Sequence, residues 1–257
     1  MNNYQNSSHY YDAFTSEISH YDIKLYLDHI LSGMNILEVG CGTGRVSLAI
    51  AKEIADCRID AFDISEAMLA HFKIKREKIS DNLKSDVNIF NADIANYRPD
   101  HKYDLIIFPQ QVFQVVVTEE DKIEYAMRYR SMFTKGDKMI ISLVDPRIEG
   151  KKANESISMF CGVIELPNGE RAIKFIEDAV FDETERIFKF RERIQLYDKL
   201  NIKREEVIDD FKLAYYTPDI AREVFANAKC TILQELVNPF IESRNFNYFD
   251  DMIYILN

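Results

Sequence analysis

Short apolar runs alternate with amphipathic stretches over the first 146 residues of the chain. The apolar runs, each suited to one buried strand, occupy residues 34–40, 58–65, 87–93, 103–109 and 138–146. The amphipathic stretches, with apolar positions at helical spacing, occupy residues 44–55, 66–79 and 119–134. Regular alternation of strand and helix predicts a parallel sheet with helices on both faces.

Helical spacing also appears before the first strand. The positions that share one helical face are Tyr21, Leu25, Tyr26, His29 and Ile30. They predict one or two helices within residues 10–32. Ser65 stands directly before the 66–79 stretch and is the predicted N-cap of that helix.

The pattern changes to a period of two after residue 156. Within residues 186–197 the apolar face consists of Phe188, Phe190, Ile194 and Leu196. The opposite face consists of Lys189, Arg191, Arg193 and Gln195. With turns expected at 167–170 and 182–185, residues 156–215 predict three or four antiparallel strands.

The end of the chain returns to helix and strand. Residues 217–229 have helical spacing with Pro218 in the first turn, and residues 230–238 and 250–257 have the pattern of strands. The predicted fold is therefore α/β: a doubly wound, seven-stranded sheet with N-terminal helices and an antiparallel β insertion after strand five.

Composition narrows the possible functions. The 257 residues carry a formal net charge of −11, whereas a nucleic-acid binder normally presents a basic patch, so we expect no nucleic-acid partner. There is no apolar run long enough for a membrane span, and the first residues lack the pattern of a secretory signal. The cysteines lie far apart without CxxC spacing, which favours free thiols, a cytoplasmic protein and no metal site.

Three glycines, Gly40, Gly42 and Gly44, alternate in the stretch ILEVGCGTGR, where strand one turns into the next helix. Ligands of doubly wound sheets bind at such turns, and glycine allows the backbone to bend and a ligand to approach. The dinucleotide fingerprint GxGxxG is incomplete, because Arg45 stands where its third glycine belongs. Glu38 would repel a pyrophosphate and suits a ligand with a cationic end.

This stretch resembles the first motif of class I S-adenosylmethionine-dependent methyltransferases, (E/D)xGxGxG. Three further motifs follow in the family's order: Asp63 ends strand two, Asp93 ends strand three in NAD, and YDLIIFP forms strand four. The resemblance covers about residues 34–146 and implies a Rossmann-like methyltransferase sheet. It implies that Asp63 binds the ribose hydroxyls of S-adenosylmethionine and that Asp93 accepts from the adenine amine.

The full set of cofactor-binding residues that the resemblance implies is Tyr11, Glu38, Gly40, Cys41, Gly42, Gly44, Asp63, Ile64, Met68, Ala92, Asp93, Ile94 and Phe108. Cys41 is interpreted as a small loop residue and not as a nucleophile. Asp63 and Asp93 taken singly also suit acids at helix N-termini. Their joint placement after successive strands favours binding.

The end of strand four reads FPQQVF, which departs from the (N/D)PP(Y/F) of enzymes that methylate base or glutamine amines. Gln110 and Gln111 are candidates to hydrogen-bond a polar acceptor, or are plain surface residues. Phe113 with Gln114, the Tyr11–Asp12 pair and the insertion resemble glycine, sarcosine and deoxysugar-amine N-methyltransferases. That resemblance implies that the insertion and the N-terminal helix close over the active site. Tyr11 either contacts cofactor or substrate, or it is an aromatic residue that packs the N-terminal helix against the protein.

The predicted substrate-binding residues are Gln110, Gln111, Phe113, Gln114 and Arg191. Arg191 belongs to a basic strand face that suits a carboxylate or phosphate, or that is simply solvated. No residue is assigned as a general base.

The sequence therefore predicts a single domain over residues 1–257 that methylates a small molecule, at an amine in preference to a hydroxyl. The parts are a helical lid (10–32), a cofactor-binding core (34–146), a substrate cap (150–215) and a closing segment (216–257). A protein side-chain methyltransferase, an NAD-dependent oxidoreductase and a cofactor-binding protein without catalysis are the alternatives, and the chain is expected to be a monomer or a homodimer.

Overall fold

The computed structural model describes residues 4, 6–15, 21–147, 152, 155–237 and 250–257. The helices are α1 (Ser8–Thr15), α2 (Tyr21–Leu27), α3 (Arg45–Glu53), α4 (Glu66–Lys78), α5 (Glu119–Arg130) and α6 (Pro218–Asn227). The strands are β1 (Asn35–Val39), β2 (Arg58–Asp63), β3 (Asp86–Asn91), β4 (Tyr103–Phe108), β5 (Phe133–Asp145), β6 (Ile157–Glu165), β7 (Arg171–Asp182), β8 (Ile187–Tyr197), β9 (Lys203–Ala214), β10 (Ile232–Val237) and β11 (Asp250–Leu256).

Seven strands form the main sheet, in the order β10-β11-β5-β4-β1-β2-β3. The pairs among β1 to β5 are parallel, and β11 runs antiparallel to both β5 and β10. Because β1 lies between β2 and β4, the carboxyl ends of these three strands meet at one edge. The predicted seven-stranded sheet is confirmed.

Each face of this sheet carries its own apolar layer. On one face the helices α2, α3 and α4 cover residues such as Ile36, Ile59 and Ile107. On the other face α5 and α6, the latter contributing Phe225, pack over strand residues that include Phe108 and Met139. The strands are therefore buried on both sides, which explains why they appear in the sequence as nearly continuous apolar runs.

The insertion after β5 is a separate antiparallel sheet of four strands, β6-β7-β8-β9, here called the cap sheet. Its predicted turns lie between β6 and β7 and between β7 and β8. The side chains of Phe188, Ile194 and Leu196 are buried on one face, called the inner face. The predicted antiparallel insertion is confirmed.

Local signals in the sequence place the helix boundaries. The Ser65 side chain accepts a hydrogen bond from the Met68 amide, so the predicted N-cap of α4 is confirmed. Thr217 caps α6 in the same way, ahead of Pro218 in the first turn. Strand β5 begins earlier than predicted, at Phe133, because that residue pairs with Tyr103 at the start of β4. Across the described ranges, the helices are too short or too polar to span a bilayer.

Candidate active site

The three alternating glycines form the loop between β1 and α3, and all three have positive φ. A Cβ at Gly40 would lie 2.6 Å from Val112, and one at Gly44 would lie 2.2 Å from the Phe72 ring. A Cβ at Gly42 would meet nothing within 4 Å. Packing therefore requires glycine at the first and third positions, while Gly42 faces open space that a ligand can occupy.

Arg45, in place of the third glycine of the dinucleotide fingerprint, is engaged within the protein. Its guanidinium forms two bonds with the Asp22 carboxylate of α2, with N–O distances of 2.5 and 2.6 Å. Since a carboxylate neutralises this arginine, it is not a free phosphate-binding group at the helix N-terminus.

Asp63 ends β2 beside the glycine loop. One carboxylate oxygen accepts from the Gly42 amide at 2.9 Å, and the other accepts from the Ser65 amide at 2.8 Å. Burial raises the pKa of this carboxyl above its ordinary value, although the backbone donors oppose the shift. Beside it, Ile64 is partly exposed, whereas the Met68 side chain is buried. The structure thus holds the Asp63 carboxylate in a fixed position at the strand edge.

Glu38 lies beneath the loop and is almost completely buried. Its carboxylate accepts from the backbone amide of Ser47 at 2.9 Å and also from the Ser47 hydroxyl. Burial raises the pKa of Glu38 to about 7, against these two donors. The residue links β1 to α3 and places a titratable carboxyl under the loop. Neighbouring Cys41 is buried, and burial raises the pKa of its thiol well above its ordinary value.

The segment after β3 lies next to Asp63. The amide of Ala92 donates to the backbone carbonyl of Asp63 at 3.2 Å. Asp93 accepts from the Ala95 amide at 2.8 Å, so one of its oxygens closes a turn. The carbonyl of Ile94 accepts from the Tyr129 hydroxyl at 3.1 Å, which ties the segment to α5. The second and third strand ends are therefore adjacent, as the motif order predicts.

Helix α1 lies over this edge of the sheet. The Tyr11 hydroxyl donates to the Gln110 side-chain oxygen at 3.1 Å, and burial raises the pKa of Tyr11 to about 12. The Tyr4 ring packs edge-on against Tyr11 and against Phe211 of the cap sheet, with both centroid distances at 5.0 Å. An aromatic contact series therefore joins the end of β4 to the inner face of the cap sheet.

The backbone after β4 is strained. Gln110 and Gln111 have φ values of 34° and 37°, in the left-handed region that residues with a Cβ seldom adopt. Such strain costs on the order of 1–3 kcal/mol per residue and concentrates at functional sites. The sequence shows no sign of this strain, since a glutamine pair in a loop looks ordinary.

Three of the predicted ligand-binding residues, Phe108, Phe113 and Gln114, are buried in the core. Phe108 and Phe113 are fully buried and pack edge-to-face at 5.4 Å. Gln114 donates to the carbonyls of Val144 (3.1 Å) and Ala214 (2.9 Å) and accepts from the Val144 amide (2.8 Å). Gln114 thus joins β5 to the end of the cap sheet, and the predicted contact of Phe113 and Gln114 with substrate stays a prediction.

Arg191, a further predicted substrate-binding residue, is paired within the cap sheet. This residue lies on the outer face of the cap sheet, because side chains alternate along β8 and its neighbours Phe190 and Glu192 point inward. Its guanidinium is paired with Asp210 at 2.9 Å and with Asp178 at 3.7 Å. Both arginines of this strand face, Arg191 and Arg193, are therefore paired with acids and partly exposed to solvent.

The inner face carries charged residues that were not predicted. Glu192 is buried and contacts Lys174 at 2.5 Å. Asp209, its cross-strand neighbour, accepts from the Ser7 amide at 2.9 Å and from its hydroxyl at 2.6 Å. The sequence did contain one signal, because Glu192 interrupts the apolar face of β8 between Phe190 and Ile194. All four cysteines are free thiols, and the described residues include no cluster of three potential metal ligands.

Comparison with known proteins agrees with this geometry. Residues 36–136 match the family described as methyltransferase domain. A malonyl-[acyl-carrier protein] O-methyltransferase of Ilyobacter polytropus is 33% identical over 142 residues, which cover 54% of this chain and 50% of that protein. The chain spans about half the length of the two such relatives from this organism that it matches.

Two solved structures share the whole architecture. An S-adenosylmethionine-dependent methyltransferase from Clostridium acetobutylicum superposes with a TM-score of 0.72 at 14% identity, covering 97% of this chain and 96% of its own. CalS10, an amino pentose methyltransferase from Micromonospora echinaspora bound to S-adenosylmethionine, gives a TM-score of 0.70 at 14% identity and covers 96% of both chains. These likenesses establish the class I methyltransferase fold. Residues 36–136 thus match a methyltransferase domain, and the chain as a whole has the fold of S-adenosylmethionine-dependent methyltransferases.

Proposed function

We propose that this protein transfers the methyl group of S-adenosylmethionine to a small molecule, and that the acceptor atom is an amine nitrogen. The observation that carries the proposal is that both helix α1 and the cap sheet lie over the carboxyl ends of the central strands. Tyr11 of α1 contacts Gln110, and Tyr4 connects the same region to Phe211 of the cap sheet. A site covered by a helix and a sheet suits a small acceptor better than a side chain on a folded protein.

The residues at the strand edge fit the cofactor. Gly42 presents open space, and the fixed carboxylate of Asp63 suits a vicinal diol, since a carboxylate accepts two donors. Asp93 follows the adjacent strand and is the proposed acceptor for the adenine amine. S-adenosylmethionine supplies a methyl group activated by its sulfonium charge. The contribution of the protein is to hold the acceptor in line and to exclude water.

The charge of the cap sheet supports an amine. Glu192 and Asp209 are cross-strand neighbours near Tyr4. Lys174 compensates Glu192, whereas Asp209 is held by the neutral donors of Ser7 and Asn6. These three charged groups therefore leave one negative charge, which attracts a protonated amine and repels a carboxylate.

Gln110 and Gln111 are the proposed residues that orient the acceptor. They follow β4 in strained backbone, and Tyr11 already fixes the Gln110 side-chain oxygen. The amide nitrogen of Gln110 is a hydrogen-bond donor and its oxygen an acceptor, so the group suits a polar acceptor of either kind.

A carboxyl O-methyltransferase is the second candidate. It is favoured by the 33% identity with the malonyl-[acyl-carrier protein] O-methyltransferase. Methyl-transfer assays with amino sugars and small amino acids, set against malonyl thioesters, separate the two. We expect turnover with an amine; turnover only with a malonyl thioester would contradict the proposal. Glu192→Gln should raise KM for the amine and leave cofactor binding unchanged.

Calorimetric titration with S-adenosylhomocysteine, with NADH as the comparison ligand, tests the cofactor. We expect one-to-one binding of S-adenosylhomocysteine and no heat from NADH. Asp63→Ala should weaken that binding about 10- to 100-fold, the usual effect of losing hydrogen bonds to a charged group. Asp100→Asn, at a side chain that is 99% exposed, is the matched control. Binding of NADH without binding of S-adenosylhomocysteine would contradict the proposal and favour the oxidoreductase alternative.

A further inference from the structure

Asp12 connects α1 to the middle of the glycine loop. The Thr43 hydroxyl donates to one Asp12 carboxylate oxygen at 2.6 Å. Lys75 of α4 contacts the other Asp12 oxygen at 2.9 Å and also donates to the Thr43 oxygen at 2.8 Å. One acid of the N-terminal helix, one loop hydroxyl and one lysine of α4 thus form a closed three-membered network.

The network acts at the part of the loop that faces the ligand. Thr43 stands between Gly42 and Gly44 and is 1% exposed, so its side chain has little freedom to take another orientation. The Gly42 amide next to it donates to Asp63. The position of Thr43 therefore bears directly on the two groups that we propose contact the cofactor.

Helix α1 is too short to persist alone. It has 8 residues, and isolated helices shorter than about 12–15 residues are marginal in water. Its position depends on tertiary contacts, and the Asp12 network is one that reaches the loop. Docking of α1 and ordering of the loop are consequently coupled through these bonds.

We infer that Asp12 is a positioning residue for the cofactor: it orders the glycine loop only when α1 is docked, so that cofactor binding and closure of α1 favour each other. This inference rests on the proposed function, because it assigns Asp12 a role toward S-adenosylmethionine. It predicts that loss of the network weakens cofactor binding and leaves the chemical step unchanged.

The test measures S-adenosylhomocysteine affinity in the full chain for Asp12→Asn, Thr43→Val and Thr43→Ser. Asp12 and Lys75 are 44% and 33% exposed, so solvent screening keeps the expected loss for Asp12→Asn to about three- to tenfold. Thr43→Val removes the hydroxyl at nearly constant volume and should give a similar loss. Thr43→Ser keeps the hydroxyl and should bind within about twofold of wild type. Asp28→Asn, in the exposed Lys24–Asp28 pair of α2, is the control.

Two readouts separate positioning from general destabilisation. In steady-state assays Asp12→Asn should raise the cofactor KM and leave kcat unchanged. In hydrogen exchange, S-adenosylhomocysteine should protect residues 8–15 in the wild type and protect them less in Asp12→Asn. Unchanged affinity in Asp12→Asn and Thr43→Val, or equal losses in Thr43→Val and Thr43→Ser, would overturn the inference while the proposed function stands. Failure of the wild type to bind S-adenosylhomocysteine would overturn both.

Discussion

Gly44→Ala tests the steric interpretation of the glycine loop. Gly44 has φ +81°, and a Cβ there would lie 2.2 Å from the ring of Phe72. Phe72 is fully buried between α4 and the sheet, so its ring has no free space to move into. The left-handed backbone costs an alanine about 1–2 kcal/mol, and overpacking adds about 1–3 kcal/mol. We expect Gly44→Ala to lower the free energy of unfolding by about 2–5 kcal/mol.

Gly42→Ala is the matched comparison. Gly42 has φ +53°, but a Cβ there would meet nothing within 4 Å. Only the cost of the left-handed backbone, about 1–2 kcal/mol, applies here. The expected loss of stability is therefore smaller than for Gly44→Ala. The added methyl group would instead occupy the open side of the loop, and S-adenosylhomocysteine should bind more weakly to Gly42→Ala than to the wild type.

Urea unfolding followed by circular dichroism measures stability, and calorimetry on the same samples measures affinity. The reasoning requires that Gly44→Ala be the less stable protein of the two. It would be refuted if Gly44→Ala unfolded at the wild-type urea concentration, or if Gly42→Ala lost more stability than Gly44→Ala. A wild-type affinity in Gly42→Ala would show that the open face of the loop is not the ligand face.

Three further substitutions test the core around the site. Gln114→Leu should lower the free energy of unfolding by about 3 kcal/mol, because the Val144 amide and carbonyl lose their partner; a wild-type urea midpoint would contradict this. Tyr26→Phe removes the 2.8 Å bond to Ser142 and should cost about 1 kcal/mol, measured by thermal unfolding. Glu38 has a folded pKa of about 7, above its ordinary value, so the folded state binds more protons and stability should fall as pH rises from about 4.5 to 7. Glu38→Gln should flatten that slope in urea titrations at pH 5 and 7.5, and an unchanged slope would exclude Glu38 as its source.

The order of elements follows from local pattern. Buried parallel strands need apolar side chains on both faces, so β1, β2 and β4 are visible in the sequence as short apolar runs. The helix starts at Ser65 and Thr217 follow from cap chemistry, which acts over three residues. The alternation of Phe188 and Phe190 with charged residues reflects the two faces of a strand.

The cofactor half of the candidate site was also accessible from sequence, because its candidate ligands lie at the ends of successive strands. In a parallel sheet those ends must meet at one edge, so Gly42, Asp63 and Asp93 could be placed together from their order along the chain. The resemblance to methyltransferases then added a proposed cofactor contact for each of these groups to a geometry that topology already required.

The acceptor half depended on tertiary structure. Whether a polar residue lines a pocket depends on which side of its strand faces the core and on what packs there. The side-chain amide of Gln114 forms three hydrogen bonds with backbone groups. Arg191 lies on the outer face of the cap sheet, where Asp210 neutralises its charge. Contacts between residues far apart in the chain, such as Tyr11 with Gln110 or Asp12 with Thr43, leave no periodic signal. Local pattern and strand order are therefore enough to predict the sheet and the edge where Gly42, Asp63 and Asp93 meet. The side chains that close over that edge come from distant segments, and their contacts arise only when those segments pack together.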